Sequence, residues 1–163
     1  MHLFFTDSAF LCFETVDLIS SVEYGTPDSA LTSSSEYENN GIVYAAKRSR
    51  INTRSNPWCA HDRPRQWLQA GFSENRNVFG IQTRNWLENR VEQYLISISN
   101  DGNAWQTIKA ENGDDFVFVG NSAPDNIVIN MLPEPVVTRF VRLTVLVYNN
   151  LPSVRWAIIG CPL

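Results

Sequence analysis

The sequence predicts an all-β domain, and three observations carry that prediction. Short segments of four to nine residues, alternating or wholly apolar, recur between Gly, Pro and Asn. The composition is 44% hydrophobic, prominent in Val, Ile, Phe and Trp and sparse in Lys and Met, a mixture that suits pleated, half-buried surfaces. No segment sustains a 3.6-residue apolar stripe, and Ala45 to Ser49 is long enough for one helical turn only. At 163 residues the chain fits one domain, which buries roughly two thirds of its unfolded surface and leaves no room for a separate catalytic module.

The segments can be justified in order. Trp67–Phe72 and Val78–Thr83 are the first two, followed by Gln93–Ser99, Asn126–Asn130 and Arg139–Val147. In Gln93–Ser99, Tyr94, Ile96 and Ile98 point to one face and Leu95, Ser97 and Ser99 to the other. After it, Asp101-Gly102 supplies residues that tolerate the positive φ of a tight turn. The chain re-enters a strand at Trp105, which packs against the barrel. Amides, a carboxylate and a tryptophan around this turn also have the ingredients of a sugar site, but turn formation accounts for them.

Net charge is −4 and the isoelectric point about 5.1, which argues against a general nucleic-acid binder. Between Lys47 and Arg65 six basic residues face a single acid, Asp62. They make either a local positive patch or a set of solvated, ion-paired arginines. Of the three cysteines, Cys12, Cys59 and Cys161, at most two can pair within the chain. A Cys12–Cys161 bridge would close nearly the whole chain, contribute about 4–5 kcal/mol, and imply an oxidising compartment. The apolar opening MHLFFTDSAFLCF is interrupted by Asp7 and lacks a basic n-region and a small-residue cleavage site, so it is not a convincing signal peptide. No stretch approaches the ~18 apolar residues of a membrane span.

Enzyme signatures are weak. Trp58-Cys59-Ala60-His61-Asp62 gathers a thiol, an imidazole and a carboxylate, yet Cys59 and His61 on one strand would project in parallel, too far apart for proton transfer. A metal site there is short of ligands, because the other histidine is His2. Asp114-Asp115 falls in a polar turn. What remains are loops pairing amides with aromatics: Glu36-Tyr37-Glu38-Asn39-Asn40-Gly41, Arg84-Asn85-Trp86-Leu87-Glu88-Asn89 and Val147-Tyr148-Asn149-Asn150. Such loops on a rigid scaffold suit recognition of small polar ligands.

The order of short motifs adds a resemblance. Leu31-Thr32-Ser33-Ser34-Ser35, Arg50-Ile51-Asn52, Trp58, Gln66-Trp67-Leu68-Gln69, Gly80-Ile81-Gln82-Thr83, the run from Tyr94 to Trp105, Phe118-Val119-Gly120-Asn121, Leu132-Pro133-Glu134-Pro135, Thr138 to Leu143 and Gly160-Cys161 together resemble the discoidin, or coagulation factor 5/8 type C, domain. The resemblance covers residues 12–163 and leaves 1–11 as an N-terminal extension. It implies a single eight-stranded jelly-roll-like β-sandwich of the galactose-binding-domain-like type, a Cys12–Cys161 disulfide, no catalysis, and ligand-binding loops at one end of the barrel. Such domains bind phosphatidylserine membranes, galactose-type sugars, collagen or growth factors, so the fold does not choose among ligands.

The loops resemble those of slime-mould discoidin lectins, although the second lectin domain of those proteins is absent from this chain. The expectation is therefore a carbohydrate-binding adhesion module, extracellular or at the cell surface, for which oligomers would supply avidity. Its ligand would meet Asn39, Asn40, Tyr44, Arg50, Arg54, Trp58, His61, Trp86, Asn149 and Asn150. The alternatives are binding of anionic membranes, with Ile42, Val43, Trp86 and Leu87 as anchors and Lys47, Arg48, Arg50 and Arg54 as cations, or binding of a protein partner. Two departures from the family pattern stand out: Gly71 where an acid is usual, and Ala157 where a glutamate is usual. Ala157 disfavours the structural calcium of bacterial relatives, and no cofactor is expected.

Overall fold

The computed structural model describes residue 12 and residues 14–163; the expected extension over residues 1–11 lies outside them. The described residues form eleven strands and no α-helix. In chain order these are β1 (Val16–Asp17), β2 (Leu31–Ser33), β3 (Glu38–Asn39), β4 (Ile42–Val43), β5 (Trp58–Cys59), β6 (Trp67–Arg84), β7 (Arg90–Ser99), β8 (Gln106–Thr107), β9 (Phe118–Val119), β10 (Ile127–Asn149) and β11 (Ser153–Pro162). The single turn expected at Ala45–Ser49 is a 3₁₀ turn over Ala46–Ser49.

Two long strands build the sandwich. The first half of β6 pairs with β2 and with the second half of β10, whose other neighbour is β7. The second half of β6 pairs with β11 and with the first half of β10, and β1 extends this group beyond β11. Each long strand thus belongs to both layers. The sequence reads as two separate strands in each case, because Ser73-Glu74-Asn75 and Pro133-Glu134-Pro135 look like breaks. The ladder is interrupted between Met131 and Val136, which is where proline can sit in a strand without forfeiting a ladder bond.

Between the layers lie Leu68, Ala70, Ile81, Tyr94, Ile96, Val141, Leu143, Trp156 and Ile158, all buried. On β10, buried Val141, Leu143 and Val145 alternate with half-buried Arg142 and Thr144, the pattern of a sheet with one face on the core. The second face of β7 is also covered: Leu95, Ser97 and Ser99 are buried, and Ser97 Oγ lies 3.0 Å from Thr107 Oγ1 on β8. Cys12 and Cys161 form the expected disulfide, and Cys59 is a buried free thiol.

The Asn100–Ala104 turn is self-sufficient. Asp101 Oδ1 accepts hydrogen bonds from the amides of Asn103 at 2.8 Å and Ala104 at 2.9 Å and from Ser99 Oγ at 3.0 Å, and Gly102 has φ of 77°. Those bonds, the Asn103 amide foremost, hold the Asp101 carboxyl below its usual range. Trp105 packs against the barrel as expected: its ring meets Phe140, and the Arg142 guanidinium lies 3.9 Å from the Trp105 centroid and 4.3 Å from that of Trp67. Phe140 also explains Gly71. A Cβ at position 71 would stand 2.9 Å from Phe140 Cε1, so the ring occupies the space a side chain would need.

Candidate functional site

Four loops converge at the end of the barrel where β11 begins, far from the disulfide at the other end of that strand. The first is the β3–β4 hairpin, whose tip is Asn40 (φ 51°) and Gly41 (φ 75°). This is the conformation that favours Asn-Gly in two-residue hairpins. The second follows β5 through His61 and Asp62. The third is the Trp86–Asn89 turn, closed by Trp86 N–H to Asn89 O at 3.2 Å and Asn89 N–H to Trp86 O at 3.1 Å, with Leu87 left-handed at φ 54°. Buried Asn85 donates to Leu87 O at 3.0 Å and fixes that tip from beneath. The fourth joins β10 to β11 through Asn149 and Asn150.

Hydrogen bonds lash these loops together. Tyr37 N–H donates to Cys59 O at 2.8 Å, Cys59 N–H to Tyr44 O at 3.2 Å, and Ala60 N–H to Pro152 O at 2.9 Å. Asn149 Nδ2 donates to Glu88 O at 2.8 Å, and Asn150 Nδ2 to Asn89 Oδ1. Tyr148 donates its hydroxyl to Asp62 Oδ1 at 2.6 Å, which pushes the phenol above its ordinary pKa.

The product is a row of rings. Trp86 lies 6.0 Å from Tyr44, Tyr44 5.8 Å from Tyr37, and Tyr37 6.3 Å from His61, measured between centroids. Around the row stand the Asn39 and Asn40 side chains, exposed and without a hydrogen bond among the described residues, and the Asp62–Tyr148 pair. Aromatic faces edged by amides and a carboxylate can hold a polar ring that has an apolar side.

The structure brings most of the expected residues together and sets three, Trp58, Arg50 and Arg54, away from the row. Trp58 is 0% exposed and donates Nε1–H to Ser35 O at 3.0 Å, so it supports the loops from the core and cannot meet a ligand. Arg50 is withdrawn as well: its guanidinium donates to Ile19 O, to Thr26 O at 2.8 Å and to Asp28 at 2.7 Å, tying down the segment before β2. Arg54 stands apart from the row, lining a cleft of about 610 Å³ on which Trp86 also borders. Asn149 and Asn150 hold the third loop in place through their amide N–H groups. Tyr37, Asp62 and Tyr148 were not among the expected site residues. His61 and Asn149, the neighbours of Asp62 and Tyr148, were, but the Tyr148–Asp62 bond spans 86 residues and has no local signature.

Cys59 and His61 do not share the strand that the sequence suggests, because β5 ends at Cys59. Cys59 is 1% exposed and burial pushes its thiol up to about 12, whereas His61 and Asp62 face solvent. Among the described residues no three His, Cys, Asp or Glu side chains gather in a way that could hold a metal ion.

The sequence matches the family model of the F5/8 type C domain over residues 30–158. The chain belongs to this family. Chicken (Gallus gallus) neuropilin-1 is 36% identical over 138 residues, covering 80% of the chain and 15% of the relative. Human coagulation factor VIII is 30% identical over 141 residues, covering 82% of the chain and 6% of the relative. The chain therefore spans a small part of the curated relatives it matches. Among solved structures, native recombinant discoidin II of Dictyostelium discoideum superposes with a TM-score of 0.74 at 20% identity, over 92% of this chain and 60% of that one. The CBM32 module of AlyQ in complex with 4,5-unsaturated mannuronic acid superposes with a TM-score of 0.61 at 15% identity, over 79% and 92%. These likenesses show the same fold. The chain is an F5/8 type C binding module.

Proposed function

We propose that this F5/8 type C module binds carbohydrate on cells or matrix through the four-loop end of the barrel, in an extracellular or cell-surface setting. The observation that carries the reading is the ring row Trp86–Tyr44–Tyr37–His61, flanked by Asn39, Asn40 and the Asp62–Tyr148 pair. Aromatic faces stack on the C–H side of a sugar while amides and the carboxylate bond its hydroxyls. The mannuronic acid bound by the AlyQ module supports this use of the fold. The cystine closing the domain fits an oxidising compartment. One shallow site of this type binds in the micromolar to millimolar range, about −4 to −8 kcal/mol, so adhesion requires several copies.

A second reading, peripheral binding to phosphatidylserine membranes, is favoured by one observation. Ile42, Val43 and Leu87, on two neighbouring loop tips, are 41%, 39% and 60% exposed, and exposed Lys47 follows the first of them. Against it, the outermost residues of the hairpin are Asn40 and Gly41, which bury little apolar area, whereas a fully inserted large side chain contributes about 1.5–3 kcal/mol.

A glycan array beside sedimentation with phosphatidylserine vesicles tests both. The expected result is glycan signal that disappears in Asn40→Ala and Trp86→Ala. Vesicle binding with no glycan signal would sink the carbohydrate reading.

A further inference from the structure

We propose that the cleft beside Trp86 receives an acidic substituent, a carboxylate or sulfate, so that the sugar bound at this end of the barrel is an anionic one. The inference rests on the carbohydrate reading and names its chemical class.

The cleft, about 610 Å³, is lined by Arg54, Arg84, Arg155, Asp125 and Trp86, with Thr53 and Leu87 beside them. Three guanidinium groups therefore surround it with one carboxylate. The pairing of β6 with β11 sets Arg155 directly opposite Arg84, an arrangement of like charges that is unfavourable unless compensated. Asp125 is hydrogen-bonded to Arg84, accepting from its Nε and Nη2 at 2.9 Å each, and its single charge is shared between Arg84 and Arg155. Arg155 is 3% exposed and has no carboxylate in ionic contact among the described residues. It donates Nη1–H to Asn85 O at 3.2 Å and Nη2–H to Ser55 O at 2.8 Å, and its buried Nε has no partner. Carbonyl dipoles satisfy hydrogens but leave the charge uncancelled. Arg54 is exposed and forms no ion pair among the described residues.

Two positive charges are thus in surplus at one cleft of a chain whose net charge is −4. Burial foremost, and the repulsion of Arg84 after it, lowers the affinity of Arg155 for its proton, but a guanidinium in a protein remains charged. A recessed cation is screened by salt far less than a surface one. The complement of such a group is an oxyanion that accepts several N–H bonds at once. Trp86 supplies the adjoining flat wall, so a ring stacked there can carry its acidic substituent into the cleft. A lipid phosphate is held in the plane of its bilayer and meets Arg54 at the rim without descending toward Arg155.

The test is titration calorimetry with short oligogalacturonate, oligomannuronate and heparin fragments, each beside its carboxyl-reduced or desulfated form, together with phosphatidylserine vesicles. At least one acidic oligomer binds tenfold or more tightly than its neutral form, with a preference that shrinks as salt rises. Arg54→Ala, which alters an exposed side chain, removes most of that preference. Equal affinity for acidic and neutral forms, or full preference in Arg54→Ala, overturns the inference while sparing the carbohydrate reading. Binding to vesicles alone, or to no saccharide, overturns both.

Discussion

Tyr148 and Asp62 share a 2.6 Å hydrogen bond across the mouth of the candidate site, joining the end of β10 to the loop after β5. Because the bond and the Asp62 charge favour the protonated phenol, Tyr148 titrates above its usual value. The consequence has a definite sign. The contribution to folding is fully present below the unfolded tyrosine pKa of about 10 and is lost as pH rises through the folded value. In an ultraviolet phenol titration, Asp62→Asn should bring Tyr148 back toward its ordinary range. Tyr148→Phe should show a shallower loss of melting temperature in alkali than the parent, and weaker glycan binding at neutral pH. Unchanged glycan binding in both variants would remove the pair from the site.

Trp58 and Trp86, which the sequence presents as similar loop tryptophans, should respond in opposite ways. Trp58 is wholly buried and anchored to Ser35 O, so Trp58→Ala should lower stability by about 3–5 kcal/mol. Trp86 is half-buried at the loop end, so Trp86→Ala should abolish glycan binding with a melting temperature within a few degrees of the parent. Chemical denaturation alongside the glycan array separates the two effects.

Cys59 should be inert in the native protein. Its thiol is pushed up to about 12 by burial, so a thiol reagent at pH 8 should label nothing until denaturant is added, and then one site per chain. With a raised folded pKa, the protein loses stability as pH climbs from the unfolded thiol value of about 8.5 toward that figure. Cys59→Ala should flatten this part of the alkaline decline. Rapid labelling without denaturant would show that the strand pair formed by β5 and β11 opens readily.

Gly160 is required by close approach of backbones. A Cβ there would meet Asn77 O at 2.1 Å and Leu18 Cδ1 at 2.6 Å, and the carbonyl cannot retreat without parting β6 from β11. Gly160→Ala should therefore destabilise by at least about 1–3 kcal/mol in urea, whereas Gly113→Ala, with open space around it but φ of 88°, should show a smaller loss confined to its turn.

Much of the fold was legible in the chain because its rules are local. Alternation in Arg139–Val147, the turn at Asp101-Gly102 and the motif order each depend on near neighbours. The continuity of β6 and β10 was hidden, since a polar run and two prolines read as breaks and their tolerance depends on a ladder interruption made by a distant strand. The candidate site divided in the same way. The hairpin tip at Asn40-Gly41 and the exposure of His61 follow from nearby residues. The burial of Trp58, the capture of Arg50 by Ile19 and Thr26, and the meeting of Tyr148 with Asp62 are long-range packing events. Asn149 and Asn150 were visible as polar loop residues, but their role in holding Glu88 and Asn89 was not.

The bonds from Asn149 and Asn150 to the Trp86–Asn89 turn also bear on how this surface can change. The third and fourth loops are joined by these bonds, so a new specificity there cannot be transplanted one loop at a time. A graft of the third loop must keep a carbonyl in reach of Asn149 and bring a matching fourth loop, and variation at Asn89, whose side chain accepts from Asn150, is felt first in the segment sixty residues away. For this end of the barrel, the unit of redesign is the pair.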